Sequence, residues 1–147
     1  MAAVRHADVV WEGTLARGSG KLSASSSHAF TDLPVTWASR TERSDGRTSP
    51  EELLASAHAS CFAMALSFGL GNAGTPPERL EVSAVVTFDQ VDGGWKVVSS
   101  ALTVRGTVPG LDEAGFKQAA EGAKEGCPIS QALNGNVALS VDASLNG

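Results

Sequence analysis

Ser49-Pro50-Glu51-Glu52-Leu53-Leu54-Ala55-Ser56-Ala57-His58-Ala59-Ser60-Cys61-Phe62-Ala63-Met64-Ala65-Leu66-Ser67 is the stretch that decides the fold. Ser49 with Glu52 three positions on has the form of a capping box, and Pro50 takes the first helical position, where its missing amide hydrogen costs nothing. The spacing predicts a helix from there to about Gly69. Leu53, Leu54, Ala57, Ala59, Phe62, Met64, Ala65 and Leu66 spread around its circumference, so burial on several sides is expected, with a subunit interface as one of them. Glu51 and Glu52 lie in the first turn, where carboxylates complement the helix dipole.

Strand signals flank this helix. Val9 to Leu15 and Lys21 to Ser25 bracket the turn-forming Arg17-Gly18-Ser19-Gly20, and Thr36-Trp37-Ala38-Ser39-Arg40 reads as a third extended segment. Beyond the helix, Val82, Ala84, Val86 and Phe88 alternate on one face of a strand running from Leu80 to Val91. Asp92-Gly93-Gly94 then signals a hairpin into Trp95 through Arg105. A second helix is expected from about Asp112 to Lys124, with Leu111, Phe116, Ala119, Ala120 and Ala123 as its core stripe and Gly126 as its stop. Pro128 to Leu133 reads as a short further helix, and Val137 to Leu145 as a last strand.

The chain has 147 residues, 11 basic and 16 acidic, for a net charge of −5. Without repeats or long linkers, that length fits a single domain over residues 1–147. No Lys/Arg cluster is present, which argues against nucleic acid as a partner. Charges interrupt the first eight residues where a secretory leader needs an apolar run, and no later run suggests the ~20 apolar residues of a membrane span. The expectation is a soluble cytoplasmic protein without a membrane partner. In such a reducing compartment the two cysteines are expected as free thiols, and a bond between them as transient and catalytic.

Those cysteines differ in setting. Cys61 sits inside the apolar helix, where burial raises a thiol pKa unless a cation opposes it, whereas Cys127 stands between Gly126 and Pro128 at the cap position of the short helix. They lie 66 residues apart, so they form no CxxC motif. Read locally, Cys61 is equally a small core residue. Glu51 cannot reach it within one straight helix, since ten residues at ~1.5 Å rise span roughly 15 Å. Antiparallel packing of two copies of the helix across a dimer axis would bring the start of one near the middle of the other. His58, three residues before Cys61, reads as a helix-face or interface histidine, because no spacing supplies the rest of a metal site. Gly18-Ser19-Gly20-Lys21 lacks Walker spacing and reads as a hairpin turn, and Ser23 to Ser27 as a polar strand end.

Ser49-Pro50-Glu51-Glu52-Leu53-Leu54, Ala57 through Ser67 and Gly126-Cys127-Pro128-Ile129-Ser130-Gln131 together resemble the OsmC branch of the OsmC/Ohr family. Trp11-Glu12-Gly13, Val108-Pro109-Gly110-Leu111 and the Asp92-Gly93-Gly94 hairpin extend the resemblance over nearly the whole chain. It implies an α+β fold of antiparallel sheets with a long buried central helix and a second helix, assembled as an intertwined homodimer. It also implies a thiol peroxidase that reduces organic hydroperoxides in defence against oxidative stress, with no cofactor or metal.

By that resemblance Cys61 matches the peroxidatic cysteine, Cys127 the resolving cysteine, and Glu51 the carboxylate that fixes an arginine beside the thiolate. The arginine corresponds to Arg40, near the end of the third strand in the OsmC branch. Arg17, in the early region used by the Ohr branch, is the second candidate, since the Gly-Arg-Asp-Gly loop of that branch is missing here. The implied chemistry is attack of Cys61 on the peroxide, a Cys61 sulfenic acid, condensation with Cys127 to a disulfide, and reduction by a dithiol, a lipoylated protein or dihydrolipoamide. Apolar neighbours such as Phe62 and Met64 fit bulky organic peroxides. Two other readings compete. A non-catalytic module binding an apolar ligand at the dimer interface predicts two unactivated thiols, and a general disulfide oxidoreductase is disfavoured by the absence of CxxC.

Overall fold

β1 (Asp8–Glu12), β2 (Ser19–Ser23) and β3 (Leu33–Val35) form an antiparallel sheet in that order, with Val10 opposite Lys21 and Gly20 opposite Val35. The computed structural model describes residues 1–146, and this sheet belongs to the first of its two compact units, Met1–Leu53 and Leu54–Gly147. The expected turn at residues 17–20 is shifted: Ser19 and Gly20 are already in β2, and the reversal is closed by Gly18 N–H donating to the Thr14 carbonyl at 2.7 Å.

Thr36 to Arg40 is not the third strand. Trp37–Thr41 is a short helix, α1, and β3 ends at Val35. Thr36 caps it reciprocally: Ser39 N–H donates to Thr36 Oγ1 and Thr36 N–H to Ser39 Oγ, both at 3.0 Å. The strand propensity of Thr and Trp is weak and contextual, and these local hydrogen bonds outweigh it. Ser39 Oγ also donates to the Thr48 carbonyl at 2.8 Å, which anchors α1 to the residues leading into the next helix.

That helix, α2, spans Pro50–Asn72. Glu52 N–H donates to Ser49 Oγ at 3.1 Å, as the capping pattern requires, and Thr48 Oγ1 donates to Glu52 Oε1 at 2.7 Å. The helix passes through Gly69 and Gly71 and stops only at Gly74, whose φ of +86° is the left-handed turn that favours glycine. By length and composition α2 could cross a membrane, contrary to the expectation that no run could. Its residues at four-residue spacing, His58, Phe62, Leu66 and Leu70, are instead buried within the chain's core. Burial on several sides is not seen in the single chain: Met64 and Phe68 on the opposite side are each 71% exposed.

In the second unit, β4 (Arg79–Val91) and β5 (Gly94–Thr107) form a long antiparallel hairpin, and β6 (Ala138–Leu145) pairs with β5 in parallel. Asp92 and Gly93 both take positive φ, 52° and 81°, as a two-residue hairpin turn requires. The sheet is therefore mixed rather than purely antiparallel. A parallel partner needs a crossover connection, which α3 (Glu113–Gly126) and α4 (Pro128–Leu133) supply between β5 and β6. Central strand β5 turns Ser100, Leu102, Val104 and Gly106 inward with a period of two. Phe116, Ala120 and Ala123 of α3 complete the core with Phe62, Leu66 and Leu70. Each such large apolar side chain contributes about 1.5–3 kcal/mol by leaving water.

Candidate active site

Four side chains singled out in the sequence form two pairs, each within its own unit. In the first, Arg40 on α1 faces Glu51 in the opening turn of α2. Nε donates to both carboxylate oxygens, at 3.0 Å to Oε1 and 3.1 Å to Oε2, and Nη2 donates to Oε1 at 2.8 Å. Glu51 is 7% exposed, so the pairing is what allows its charge to be buried. The guanidinium lies 5.9 Å over the Trp37 ring, which restricts it further. Arg17, by contrast, is exposed in the β1–β2 turn. Arg40 also borders an apolar cleft of about 210 Å³, lined by Val9, Trp11, Leu15, Leu22 and Trp37.

In the second pair, Cys61 and Cys127 are both free thiols, and each bears on the ionisation of the other. Cys127 is fully buried at the junction of α3 and α4, serving as C-cap of one and N-cap of the other. Burial pushes the Cys61 thiol up, and the neighbouring Cys127 pushes it further, against a smaller opposing effect from the Ile129 backbone. Burial works against the Cys127 thiolate too, but the neighbouring Cys61 thiol and the polar groups of Ser130 and Ile129 at the start of α4 outweigh it. Its pKa is accordingly lowered. The sulfur makes no capping hydrogen bond to α4. A cation is still needed to make Cys61 the thiolate, as its apolar helix implies.

His58 is not a helix-face or interface histidine. It is fully buried, with Nδ1 2.6 Å from Ser100 Oγ and Nε2 2.8 Å from Ser130 Oγ. Burial lowers its pKa, so the imidazole is neutral. Nor does Phe62 line a substrate site: it is completely buried in the core cluster, while Met64 is exposed.

The family model for OsmC-like proteins matches residues 43–142. The chain belongs to the OsmC-like family. It is 41% identical over 129 residues to Peroxiredoxin OsmC of Escherichia coli, covering 88% of this chain and 89% of that protein. It is 31% identical to an organic hydroperoxide resistance protein of Xanthomonas axonopodis over 61% of this chain and 62% of that one. Among solved structures, that of the organic hydroperoxide resistance protein OhrB of Bacillus subtilis superposes with a TM-score of 0.75 at 25% identity, over 95% of this chain and 98% of that one. The α+β fold expected of an OsmC-like chain is the one observed.

Sequence reasoning missed Ser100 and Ser130. Each left a faint signal: Ser100 is a polar residue in the inward register of a strand otherwise carrying Leu102 and Val104, and Ser130 follows Cys127 by three residues in a helix opening with proline. Neither signal indicates a partner, because both serines are brought to His58 by long-range contacts.

Proposed function

We propose that this chain is a cysteine-based peroxidase that reduces organic hydroperoxides and protects against oxidative stress. The observation that carries the reading is the pair of free thiols, Cys61 and Cys127, each bearing on the other's ionisation, in a chain 41% identical to a peroxiredoxin over most of its length.

In this reading the Cys61 thiolate attacks the terminal peroxide oxygen. The O–O bond breaks, sulfur supplies two electrons and becomes the sulfenic acid, and the alkoxide leaves as an alcohol after taking a proton. The Cys127 thiolate then attacks the Cys61 sulfur and displaces hydroxide, which leaves as water once protonated. An external dithiol, a lipoylated protein or dihydrolipoamide in our proposal, returns both thiols by exchange and is itself oxidised. Arg40 supplies the cation beside the Cys61 thiolate and hydrogen bonds to the peroxide, with Glu51 fixing its orientation. The apolar cleft bordered by Arg40 accepts the carbon chain, a preference that hydrogen peroxide cannot exploit.

We further propose a single OsmC-like domain, cytoplasmic and acting as an intertwined homodimer in which the Arg40–Glu51 pair of one protomer serves Cys61 of its partner. The family match over residues 43–142 runs through both compact units, which supports one domain. Exposed Val9, Val10, Met64 and Phe68 supply apolar surface suited to a second copy. The test is peroxide consumption with an organic hydroperoxide, a lipid hydroperoxide and hydrogen peroxide, each with dihydrolipoamide and with thioredoxin. Turnover should be fastest with an organic substrate and dihydrolipoamide. Undiminished turnover in Cys61→Ser would sink the proposal.

A further inference from the structure

The apolar cleft bordered by Arg40 takes its shape from a glycine. Residues directly opposite one another in paired strands project to the same face of a sheet. In the first unit the register sets Trp11 of β1, Gly20 of β2 and Val35 of β3 in one row, with Val9 and Leu22 opposite each other in the next. All of these except the glycine line the cleft. The central strand thus carries no side chain at the middle of the row, and its two neighbours lean over the gap. A Cβ at Gly20 would lie 2.9 Å from Trp11 Cε3, 3.4 Å from Cζ3 and 2.9 Å from Val35 Cγ1. Glycine inside a strand gives up side-chain packing and marks a place where another group comes close, here the indole. Trp11 is also pinned from a second direction: its Nε1–H donates to the Gly13 carbonyl at 3.0 Å. Gly13 opens the turn that Gly18 N–H closes on the Thr14 carbonyl at 2.7 Å, and Leu15 of that turn lines the cleft as well. Trp37, the other indole lining the cleft, carries the Arg40 guanidinium over its ring at 5.9 Å, whereas Trp11 is set by the sheet and the turn.

We propose that Gly20 is the specificity-determining position of this cleft and acts through Trp11: the missing side chain leaves room for the carbon skeleton of an arylalkyl hydroperoxide, whose ring packs on the Trp11 indole while its peroxide group meets Arg40. Resting on the peroxidase reading, this assignment names the part of the substrate that the cleft selects. A methyl at residue 20 must displace the indole or the Val35 side chain, and both line the cleft, so either displacement reshapes the space left to the substrate. Contact between rings favours an aryl skeleton beyond the area it buries. Hydrogen peroxide has no carbon skeleton and gains nothing from either feature.

Steady-state kinetics with cumene hydroperoxide, tert-butyl hydroperoxide and hydrogen peroxide read the selection as ratios of kcat/KM. Gly20→Ala should lower the ratio of cumene hydroperoxide to hydrogen peroxide about tenfold, through KM for the aryl substrate, as the misfit of one methyl in an apolar pocket does. Trp11→Leu keeps an apolar wall and removes the ring, so it should lower the preference for cumene over tert-butyl hydroperoxide about three- to tenfold. A purely structural role would slow all the substrates together, and ratios equal to the parent's in either variant overturn the inference. Titrating the parent with cumyl alcohol, the inert product, should shift the indole Nε1–H resonance of Trp11, which is assigned by its loss in Trp11→Leu. A resonance that ignores the alcohol overturns the inference equally, and since this measurement is made on the parent, it decides even where Gly20→Ala fails to fold. The titration needs no turnover either: absence of peroxidase activity would remove the proposed function and leave the place of the aryl group in the cleft to be decided by the alcohol alone.

Discussion

Arg40 grips Glu51 with two nitrogens, Nε at 3.0 and 3.1 Å from the two carboxylate oxygens and Nη2 at 2.8 Å from Oε1. A planar fork of this kind fixes where the guanidinium points, which a flexible ammonium cannot do. Arg40→Lys should therefore lower kcat/KM for an organic hydroperoxide by about 10- to 100-fold, equivalent to losing one charge-assisted contact. Arg17→Ala, in the exposed turn, should remain within about twofold of the parent. Steady-state kinetics on the two variants decide between the arginines, and the reverse ranking would transfer the role to Arg17.

Cys61 and Cys127 have unequal expected fates. In Cys127→Ser the first equivalent of hydroperoxide should still convert Cys61 to its sulfenic acid, and further peroxide should carry it to the sulfinic acid, because nothing condenses with the intermediate. Intact-mass spectrometry reads the added oxygens directly. The unmodified chain should instead lose two hydrogens and gain no oxygen.

Burial of His58 makes stability depend on pH. The folded state keeps the ring neutral below its usual 6.5, whereas the unfolded chain takes up the proton there. The unfolded state then binds more protons, so stability should fall as pH drops through 6.5 by up to about 1.4 kcal/mol per pH unit from this group, until the lower folded value is passed. Denaturant melts of the parent and His58→Gln measure it, and the variant should show the flatter curve across that window.

Gly106 lies on the inward register of β5 beneath the Phe116 ring. A Cβ there would come within 2.6 Å of Cζ and 2.8 Å of Cε1, and Phe116 is fully buried with nowhere to move. Gly106→Ala should cost about 1–3 kcal/mol, the usual penalty of overpacking. A thermal melt checks it, and Gly122→Ala, where a Cβ meets nothing, is the control and should match or exceed the parent.

The proposed homodimer predicts a monomer when its apolar surface is charged. Phe68→Glu places a carboxylate on a residue 71% exposed in the single chain, so it should leave the monomer folded while dissociating the assembly. Sedimentation velocity, with circular dichroism to confirm the fold, is the measurement. A dimer that persists unchanged would mean this part of α2 lies outside the interface.

What the sequence determined by itself is local or periodic. Ser49, Pro50 and Glu52 mark where α2 begins because capping is a matter of neighbours, and the alternation of Val82, Ala84, Val86 and Phe88 marks the inner face of β4 because strand side chains repeat every two residues. Cys127 at a helix junction was legible for the same reason. The fine hydrogen-bonding competition at Thr36 was not, since strand propensity and a Thr-Ser cap point in opposite directions and only the folded geometry selects between them. Tertiary structure alone decided that β6 runs parallel to β5, and that one stripe of an apolar helix is buried in the single chain while Met64 and Phe68 are not. It alone brought Ser100 and Ser130 to the two nitrogens of His58, across 42 and 72 residues of sequence. Hydrogen bonds between positions so distant leave no period and no spacing in a chain, because their geometry exists only after the core has closed.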